Sequence, residues 1–255
     1  MKTRLDKLLV DRGLTPSRAR AQALILAGKI LVNEQKIEKA GASIDCGSSL
    51  RLLGADLRYV SRGGLKLEKA LEHWRIDLGG KVCLDVGAST GGFSDCMLQH
   101  GAARVIAVDT GYGQMEFGLR NDPRIRLLEK TNARYLDPSD IGEPIAFIAM
   151  DVSFISATLV LPAVICAATF YASQTPKSIE IVVLVKPQFE AGRELVGKGG
   201  IVRDESVQRA AVARVEAGLA KLGCGRAEWI ESPILGGEGN REFLLHAQFS
   251  PPPIA

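Results

Sequence analysis

The sequence predicts a two-domain α/β protein, in which a small α+β module precedes a Rossmann-like, mostly parallel seven-stranded sheet with one antiparallel strand. Three observations lead to this fold class. Strand-like apolar runs alternate with helical runs beyond about residue 80, a glycine-rich turn follows the first of these runs, and the net charge changes sign along the chain. Alternation of strands and helices is typical of a parallel, doubly wound sheet with right-handed crossovers.

Residues 1–62 form a basic module. They carry twelve Lys and Arg against six Asp and Glu, a net charge of +6, whereas the rest of the chain has a net charge of −3. A basic patch on a small domain is typical of proteins that bind a polyanion, but charge alone favours a solvated basic face equally well. We place the domain boundary within the string "GADLRYVSRGG", which gives domains at 1–60 and 61–255.

Two helices and a small curled sheet are predicted for this module. Apolar spacing predicts one helix in "RLDKLLVDRG" and another in "TPSRARAQALILAG", with Thr15 as the expected N-cap and Gly28 as the expected end. Alternation in "KILVNEQKI" predicts a hairpin. These strings resemble the S4 RNA-binding domain. The resemblance implies contacts with RNA phosphates, although each side chain taken alone could equally be solvated surface; the implied residues are Arg4, Arg18, Arg20 and Lys29.

The larger domain is predicted to contain four main helices and seven strands. One helix is expected in "LKLEKALEHWRI", and the others over Gly92–His100, Ser156–Phe170 and Glu205–Leu222. Near-continuous apolar strands such as "IVVLV" are typical of a sheet that is buried on both faces. Only a loop joins the last two strands, so one of them is expected to run antiparallel. The candidate strands are "KVCLDVG", "RVIAVDT", "RIRLLEK", "IAFIAMDV", "IEIVVLVKP", "GRAEWIES" and "REFLLHAQF".

The turn "DVGASTGGF" joins the first strand to the next helix and lacks both the G-x-G-x-x-G spacing and a P-loop. Asp109 ends the second strand, where its carboxylate can accept hydrogen bonds from two ribose hydroxyls. This combination resembles the S-adenosyl-L-methionine-dependent class I methyltransferases; NAD binding and a purely structural glycine turn are the alternatives. The donor-binding residues that the resemblance implies are Asp85, Gly87, Ser89, Gly91, Gly92, Phe93, Asp109 and Asn132, the last as an adenine contact or a simple turn residue.

Four ionisable residues are expected at the carboxyl edge of the sheet. Asp151 and Lys186 end the fourth and fifth strands, Glu242 begins the last strand, and Lys66 lies early in the preceding helix. A lysine that ends an apolar strand needs compensating charge, although separate surface positions are the alternative. The set resembles the catalytic tetrad of FtsJ-type ribose 2′-O-methyltransferases. The whole chain is most similar to the TlyA family, through strings such as "YVSRGGLKLEKAL", "MDVSFIS", "VLVKPQFE" and "GGEGNREFLL".

The resemblance implies a cytidine-specific ribosomal RNA ribose 2′-O-methyltransferase that acts on rRNA within ribosomal subunits. Lys186 would then be the base, Asp151 would orient it, and Lys66 and Glu242 would place the ribose. The alternatives are a membrane-active, hemolysin-type protein and a catalytically silent RNA-binding protein. The sequence lacks an apolar run of about 18 residues. Five scattered cysteines without a C-x-x-C pair and three scattered histidines argue against disulfides and a metal site, and fit a cytoplasmic protein.

Overall fold

The chain divides into two compact units, Met1–Arg58 and Tyr59–Ala255. The computed structural model describes residues 2–15, 17–53, 58–171 and 178–250. Four residues of the string predicted to contain the domain boundary, 54–57, lie outside the described residues.

The part of the first unit that the structure describes contains two helices and five short strands. They are β1 (Lys2–Arg4), α1 (Leu5–Asp11), α2 (Arg18–Leu26), β2 (Ile30–Val32), β3 (Gln35–Lys36), β4 (Ser43–Asp45) and β5 (Leu50–Leu52). β1 pairs antiparallel with β4, and β2 pairs antiparallel with both β3 and β5. Leu5, Leu9 and Ile25 from the helices pack with Ile30 and Val32 from β2 in a small apolar core.

The start and the end of α2 follow from local capping. The Ser17 side chain accepts a hydrogen bond from the Arg20 backbone N–H at 3.2 Å, which makes Ser17 the N-cap. The prediction that Thr15 caps this helix is wrong, because the helix begins too late for its hydroxyl to reach the first free N–H groups. Gly28 follows the helix end with φ +64°, the left-handed conformation that glycine adopts readily.

The larger unit alternates helices and strands. Its elements are α3 (Gly63–Trp74), β6 (Val82–Val86), α4 (Gly92–Gln99), β7 (Arg104–Val108), α5 (Phe117–Arg120), β8 (Ile125–Leu128), α6 (Pro138–Ile141), β9 (Phe147–Met150), α7 (Ala157–Thr169), β10 (Ile179–Val185), α8 (Pro187–Glu190), α9 (Glu205–Lys221), β11 (Glu228–Glu231) and β12 (Phe243–Phe249). No helix within the described residues is long and apolar enough to cross a membrane.

The seven strands of the described large unit form one sheet in the order β11-β12-β10-β9-β6-β7-β8. β12 pairs antiparallel with β10 and β11, and the other neighbouring strands pair in parallel. This confirms the predicted mostly parallel sheet with one antiparallel strand. In the β10–β12 register Val185 lies opposite Phe243, so β12 begins at the edge where β10 ends.

Helices cover both faces of the sheet. Side chains of α7 and α9 pack with one set of strand residues, and side chains of α3 and α4 pack with the other set. Burial on both faces explains why β10 reads as an almost unbroken apolar run. Each fully buried aliphatic side chain contributes about 1.5–3 kcal/mol, so this core holds the strand ends, and the residues that follow them, in a fixed arrangement.

Candidate active site

The carboxyl ends of three neighbouring strands meet at one edge of the sheet. β6, β9 and β10 end immediately before Gly87, Asp151 and Lys186, and the antiparallel β12 begins immediately after Glu242. Open α/β sheets bind their ligands at this edge, in the crevice beyond the strand ends. The fold therefore brings the predicted strand-end residues to one place.

The turn after β6 requires glycine at its first position. Gly87 has φ +88°, and a Cβ built there would lie only 2.3 Å from the backbone oxygen of Asp151. The chain after β6 thus passes directly against the chain after β9. Gly91 also has a positive φ, +95°, and serves as the N-cap residue of α4.

Asp109 is held in place by the same turn. The Ser89 N–H donates to Oδ2 at 2.7 Å, and the Gly111 N–H donates to Oδ1 at 2.6 Å. Ser89 reaches this position in the left-handed conformation, with φ +47°. Each carboxylate oxygen has a further lone pair, so Asp109 can accept additional hydrogen bonds from a ligand.

A cavity of about 300 Å³, which we call the turn cavity, lies beside these residues. Four of the predicted donor-binding residues line it, and they are Gly87, Ser89, Asp109 and Asn132. The side chain of Asn132 also accepts a hydrogen bond from the Arg134 N–H and caps a short 3₁₀ turn. The other four predicted residues, Asp85, Gly91, Gly92 and Phe93, are buried and lie outside the lining of this cavity.

Asp85 lies beneath the turn and is completely buried. Its Oδ2 accepts a hydrogen bond from the Ser94 hydroxyl at 2.6 Å, while its Oδ1 has no hydrogen-bond partner among the described residues. Burial raises the pKa of Asp85 to about 7; the Ser94 hydrogen bond opposes this change and the negative charge of Asp151 adds to it. Asp85 is therefore a buried carboxyl group next to the turn and lines neither of the cavities described here.

A second cavity of about 450 Å³, the edge cavity, adjoins the first. Ser153 and Phe154 line both cavities. Lys186, Phe189 and Glu242 line the edge cavity, together with Gln188 and Asn240. Asp151 lines the turn cavity, so the two cavities meet between Asp151 and Lys186.

The four predicted catalytic residues form two ion pairs. Lys186 Nζ lies 2.6 Å from Asp151 Oδ1, and Lys66 Nζ lies 2.5 Å from Glu242 Oε2. Lys186 Nζ donates its hydrogen bond to Ser153 Oγ at 2.8 Å. Its contact with Asp151 Oδ1 is an ion pair without hydrogen-bond geometry, because that oxygen has no hydrogen-bond partner in the described chain. Lys66 contacts Glu242 but lines neither cavity. The two pairs together hold two cations and two anions at the sheet edge.

Glycines make room for the Lys66–Glu242 pair. A Cβ at Gly236 would lie 2.0 Å from Glu242 Oε1, and a Cβ at Gly92 would lie 3.1 Å from the Gly64 backbone nitrogen. The second contact shows that the first turns of α3 and α4 pack backbone to backbone. This packing places Lys66, which is 8% exposed, within reach of Glu242.

The predicted RNA-contacting residues lie in the first unit. Arg4 and Arg18 have half-exposed side chains, and both donate hydrogen bonds to the buried carboxylate of Asp6. Lys29 is exposed, and Arg20 is partly buried in the first turns of α2. The structure therefore brings two of the four together around one anion.

Comparison with known proteins now identifies the family. The sequence model of FtsJ-like methyltransferases matches residues 59–249, and the model of the S4 domain matches residues 3–45. The Mycobacterium tuberculosis protein named 16S/23S rRNA (cytidine-2′-O)-methyltransferase TlyA is 42% identical over 96% of this chain and 89% of its own length. The chain belongs to the TlyA family of FtsJ-like methyltransferases.

Other relatives support the assignment to the TlyA family. The Bacillus subtilis protein YqxC is 48% identical over 96% of this chain and 85% of its own length. A solved structure from Streptococcus thermophilus is 44% identical, covers 99% of this chain and 90% of that chain, and superposes with a TM-score of 0.73. The similarity extends through both units, so the resemblance read from the sequence is confirmed.

Several residues of this TlyA-family site were not predicted from the sequence. Ser153 accepts a hydrogen bond from Lys186 Nζ. Phe154 has a φ of +64° and is 92% exposed. Asn240 accepts a hydrogen bond from the Val202 N–H at 3.0 Å and so ties one wall of the edge cavity to the chain beyond α8. Gln114 lines the turn cavity. Ser153 and Phe154 lie in the family string "MDVSFIS", Asn240 lies in "GGEGNREFLL", and Gln114 ends the string "AVDTGYGQ", which also resembles the family. These positions were the available signal.

Proposed function

We propose that this chain is a ribosomal RNA ribose 2′-O-methyltransferase, which transfers a methyl group from S-adenosyl-L-methionine to a cytidine 2′-hydroxyl. The observation that carries the proposal is the position of the Lys186–Asp151 pair at the junction of the two cavities. A base at that junction serves a reaction between a donor in one cavity and an acceptor in the other. The name of the M. tuberculosis relative supports the RNA substrate and the cytidine preference.

The turn cavity suits the donor. Asp109 has unused lone pairs for ribose hydroxyls, and Val108, Ile155 and Val160 supply an apolar wall for the adenine beside Asn132. Gly87 leaves the turn backbone open where a side chain would collide with Asp151. When bound there, the donor supplies a methyl group that its sulfonium already activates, so the protein need only position the acceptor and remove a proton.

Lys186 is proposed as the general base. Its side chain is 11% exposed and is oriented by Asp151 and Ser153. In the neutral form, the amine would take the proton of the 2′-hydroxyl, so that the ribose oxygen can displace the donor's sulfur at the methyl carbon. The C–S bond of the donor would break as the C–O bond forms, and the sulfur would leave as a neutral thioether. Asp151 then stabilises the resulting ammonium, and the buried Lys66–Glu242 pair fixes the wall against which the ribose lies.

The edge cavity suits a nucleotide. The rings of Phe154 and Phe189 lie 5.2 Å apart at its mouth, and Phe154 is largely exposed. Aromatic side chains stack on bases that have left their helix. The S4 unit is proposed to bind phosphates of the same RNA, within ribosomal subunits in the cytoplasm, through Arg4, Arg18, Arg20 and Lys29.

Tritium transfer from labelled S-adenosyl-L-methionine to purified 30S and 50S subunits tests the proposal. We expect label in ribosomal RNA, and nuclease mapping should place it on the ribose of a cytidine. Label on a base, or on ribosomal protein, would contradict the proposed chemistry. Donor binding by calorimetry without any transfer would favour the catalytically silent RNA-binding protein, and liposome lysis without transfer would favour the membrane-active alternative.

A further inference from the structure

Asp6 is a buried carboxylate that the proposed reaction does not use. It lies in α1 with 0% of its surface exposed, yet its two oxygens accept hydrogen bonds from three side chains. Arg4 donates from Nε at 3.0 Å and from Nη2 at 2.9 Å, Arg18 donates from Nη2 at 3.0 Å, and Gln22 donates from Nε2 at 2.8 Å. The Lys7 backbone N–H is a further donor at 2.9 Å. The hydrogen bonds from Arg4 above all, and those from Gln22 and Arg18, hold the pKa of Asp6 well below its usual range against the opposing effect of burial.

The two arginines are gathered at a single atom. The Nη2 atoms of Arg4 and Arg18 both lie within 3.0 Å of Asp6 Oδ2, so the guanidinium groups are close neighbours. Their side chains are nevertheless 53% and 55% exposed. A guanidinium carries five N–H donors, and Asp6 uses two from Arg4 and one from Arg18. Donors on both groups therefore remain for a ligand outside.

The ligand that fits this arrangement is a phosphate. Two guanidinium groups and one carboxylate leave a net positive charge on the half-exposed side. Planar guanidinium forks bind phosphate oxygens through paired, charge-assisted hydrogen bonds. Arg4 also lies close to Gly41, because a Cβ added there would come within 3.2 Å of its Nη1. Asp6 thus holds the guanidinium fork of Arg4 through two atoms, and the glycine at 41 leaves space for the rest of the group.

We infer that Asp6 is a positioning residue, which holds Arg4 and Arg18 together as a two-guanidinium clamp for one RNA phosphate. The inference rests on the proposed function, because it assumes that the S4 unit docks ribosomal RNA. Without the carboxylate the two like charges repel each other, and each long side chain regains its rotamer freedom. A buried anion beneath the surface therefore strengthens the binding of another anion above it.

Because Asp6 is negatively charged, two explanations predict opposite changes in RNA affinity when it is replaced. Asp6→Asn removes a negative charge, so long-range electrostatics alone predicts tighter binding to RNA. The positioning role predicts weaker binding, by roughly tenfold, since hydrogen bonds to charged groups are among the strong ones. The measurement is filter binding of the full-length protein to deproteinised ribosomal RNA across a salt series. We also expect the slope of log affinity against log salt to become shallower by about one.

Two control variants separate positioning from other effects. Asp11→Asn removes the same charge from an exposed position on the same helix, so RNA affinity should stay level or rise. Gln22→Ala removes one of the two side-chain hydrogen bonds from α2 to Asp6 but leaves both arginine contacts, so RNA affinity should stay at the wild-type value. If Asp6 only joined the helices, Gln22→Ala and Asp6→Asn would lower the melting temperature while RNA affinity of folded protein stayed unchanged.

Each outcome decides the question. Weaker binding by Asp6→Asn, with Asp11→Asn unaffected, supports the clamp; equal or tighter binding by Asp6→Asn overturns it. If Asp6→Asn fails to fold, Arg18→Lys takes its place, because it keeps the charge and loses the fork. Weaker binding by Arg18→Lys supports the clamp, and unchanged binding overturns it. If the wild type itself does not bind ribosomal RNA, the proposed RNA substrate fails first, and this result is distinct from loss in one variant.

Discussion

Lys186 and Ser153 show how far single residues could be predicted. Lys186 and Asp151 were predictable, because each follows an apolar strand whose end is visible in the sequence. Ser153 was not, because its contact with Lys186 Nζ depends on the turn after β9, where Phe154 adopts a positive φ of +64°. Asp6 is similar, since nothing local indicates that Arg18, twelve positions along, shares its carboxylate.

The buried carboxyl group of Asp85 makes the stability of the protein depend on pH. Its pKa is raised to about 7 by burial, above the value of about 3.9 for an unfolded chain. The folded state therefore binds more protons than the unfolded state between these values. The stability that Asp85 contributes is complete below about pH 4 and is lost as pH rises to about 7.

The variant Asp85→Asn should remove that loss, because an amide does not ionise and still accepts the Ser94 hydrogen bond. We expect the melting temperature of the wild type to fall relative to Asp85→Asn between pH 5 and pH 8. Tryptophan fluorescence measures the unfolding of the larger unit, because Trp74 and Trp229 both belong to it. Parallel pH profiles for the two proteins would show that Asp85 keeps an ordinary pKa.

Helices and strands were predicted well where the local signal is strong. Ser156 and Asp204 cap α7 and α9 through their side chains, so both helices begin as predicted. The short helices α5, α6 and α8 were missed, because four residues give no apolar periodicity. The sequence favours Thr15 as the cap, because the following Pro16 is a residue type suited to the first position of a helix. Ser17 is an equally suitable residue type, and only the path of the chain distinguishes the two.

Gly87 lets the turn after β6 pass directly against the end of β9, so replacing it tests whether this close approach matters. Gly87→Ala would place a Cβ 2.3 Å from the Asp151 oxygen, in a conformation with positive φ. We expect a loss of about 1–3 kcal/mol of stability and weaker donor binding, measured by thermal unfolding and by calorimetry.

Gly80→Ala is the matched control for this change. Gly80 has a φ of +70°, but a Cβ there would meet nothing within 4 Å. It therefore carries the conformational cost without the collision, and donor affinity should stay at the wild-type value. If the two variants lose equal stability and both bind the donor with wild-type affinity, the close approach of the two strand ends does not contribute to donor binding.

For the whole molecule, the sequence predicts a basic first domain and a mildly acidic second domain. The family strings predict where each domain lies in the chain. The mostly parallel pairing with one antiparallel strand also followed, because strands and helices alternate and only a loop joins the last two strands. The order of the strands in the sheet came from the structure. The two ion pairs did not follow in detail. Residues 66 and 242 are far apart in the chain, so their contact depends on tertiary packing, in which α3 packs with β12 and Gly236 leaves space beside Glu242.

The two units are predicted to separate in function. Deletion of residues 1–60 removes a net positive charge, so affinity for ribosomal RNA should fall and its dependence on salt should flatten. Calorimetric binding of the donor to the remaining chain checks that the larger unit is folded. Unchanged salt dependence in a protein that still binds the donor would mean that the first unit does not contact phosphates.

The central claim is that Lys186 removes the proton from the acceptor at the junction of the two cavities. Single-turnover methyl transfer to ribosomal subunits by Lys186→Ala tests it most directly, with Lys69→Ala, an exposed lysine on α3, as the matched control. We predict that Lys186→Ala lowers the rate at least about 100-fold with donor affinity unchanged, while Lys69→Ala keeps the wild-type rate. Transfer by Lys186→Ala at the wild-type rate would contradict the account.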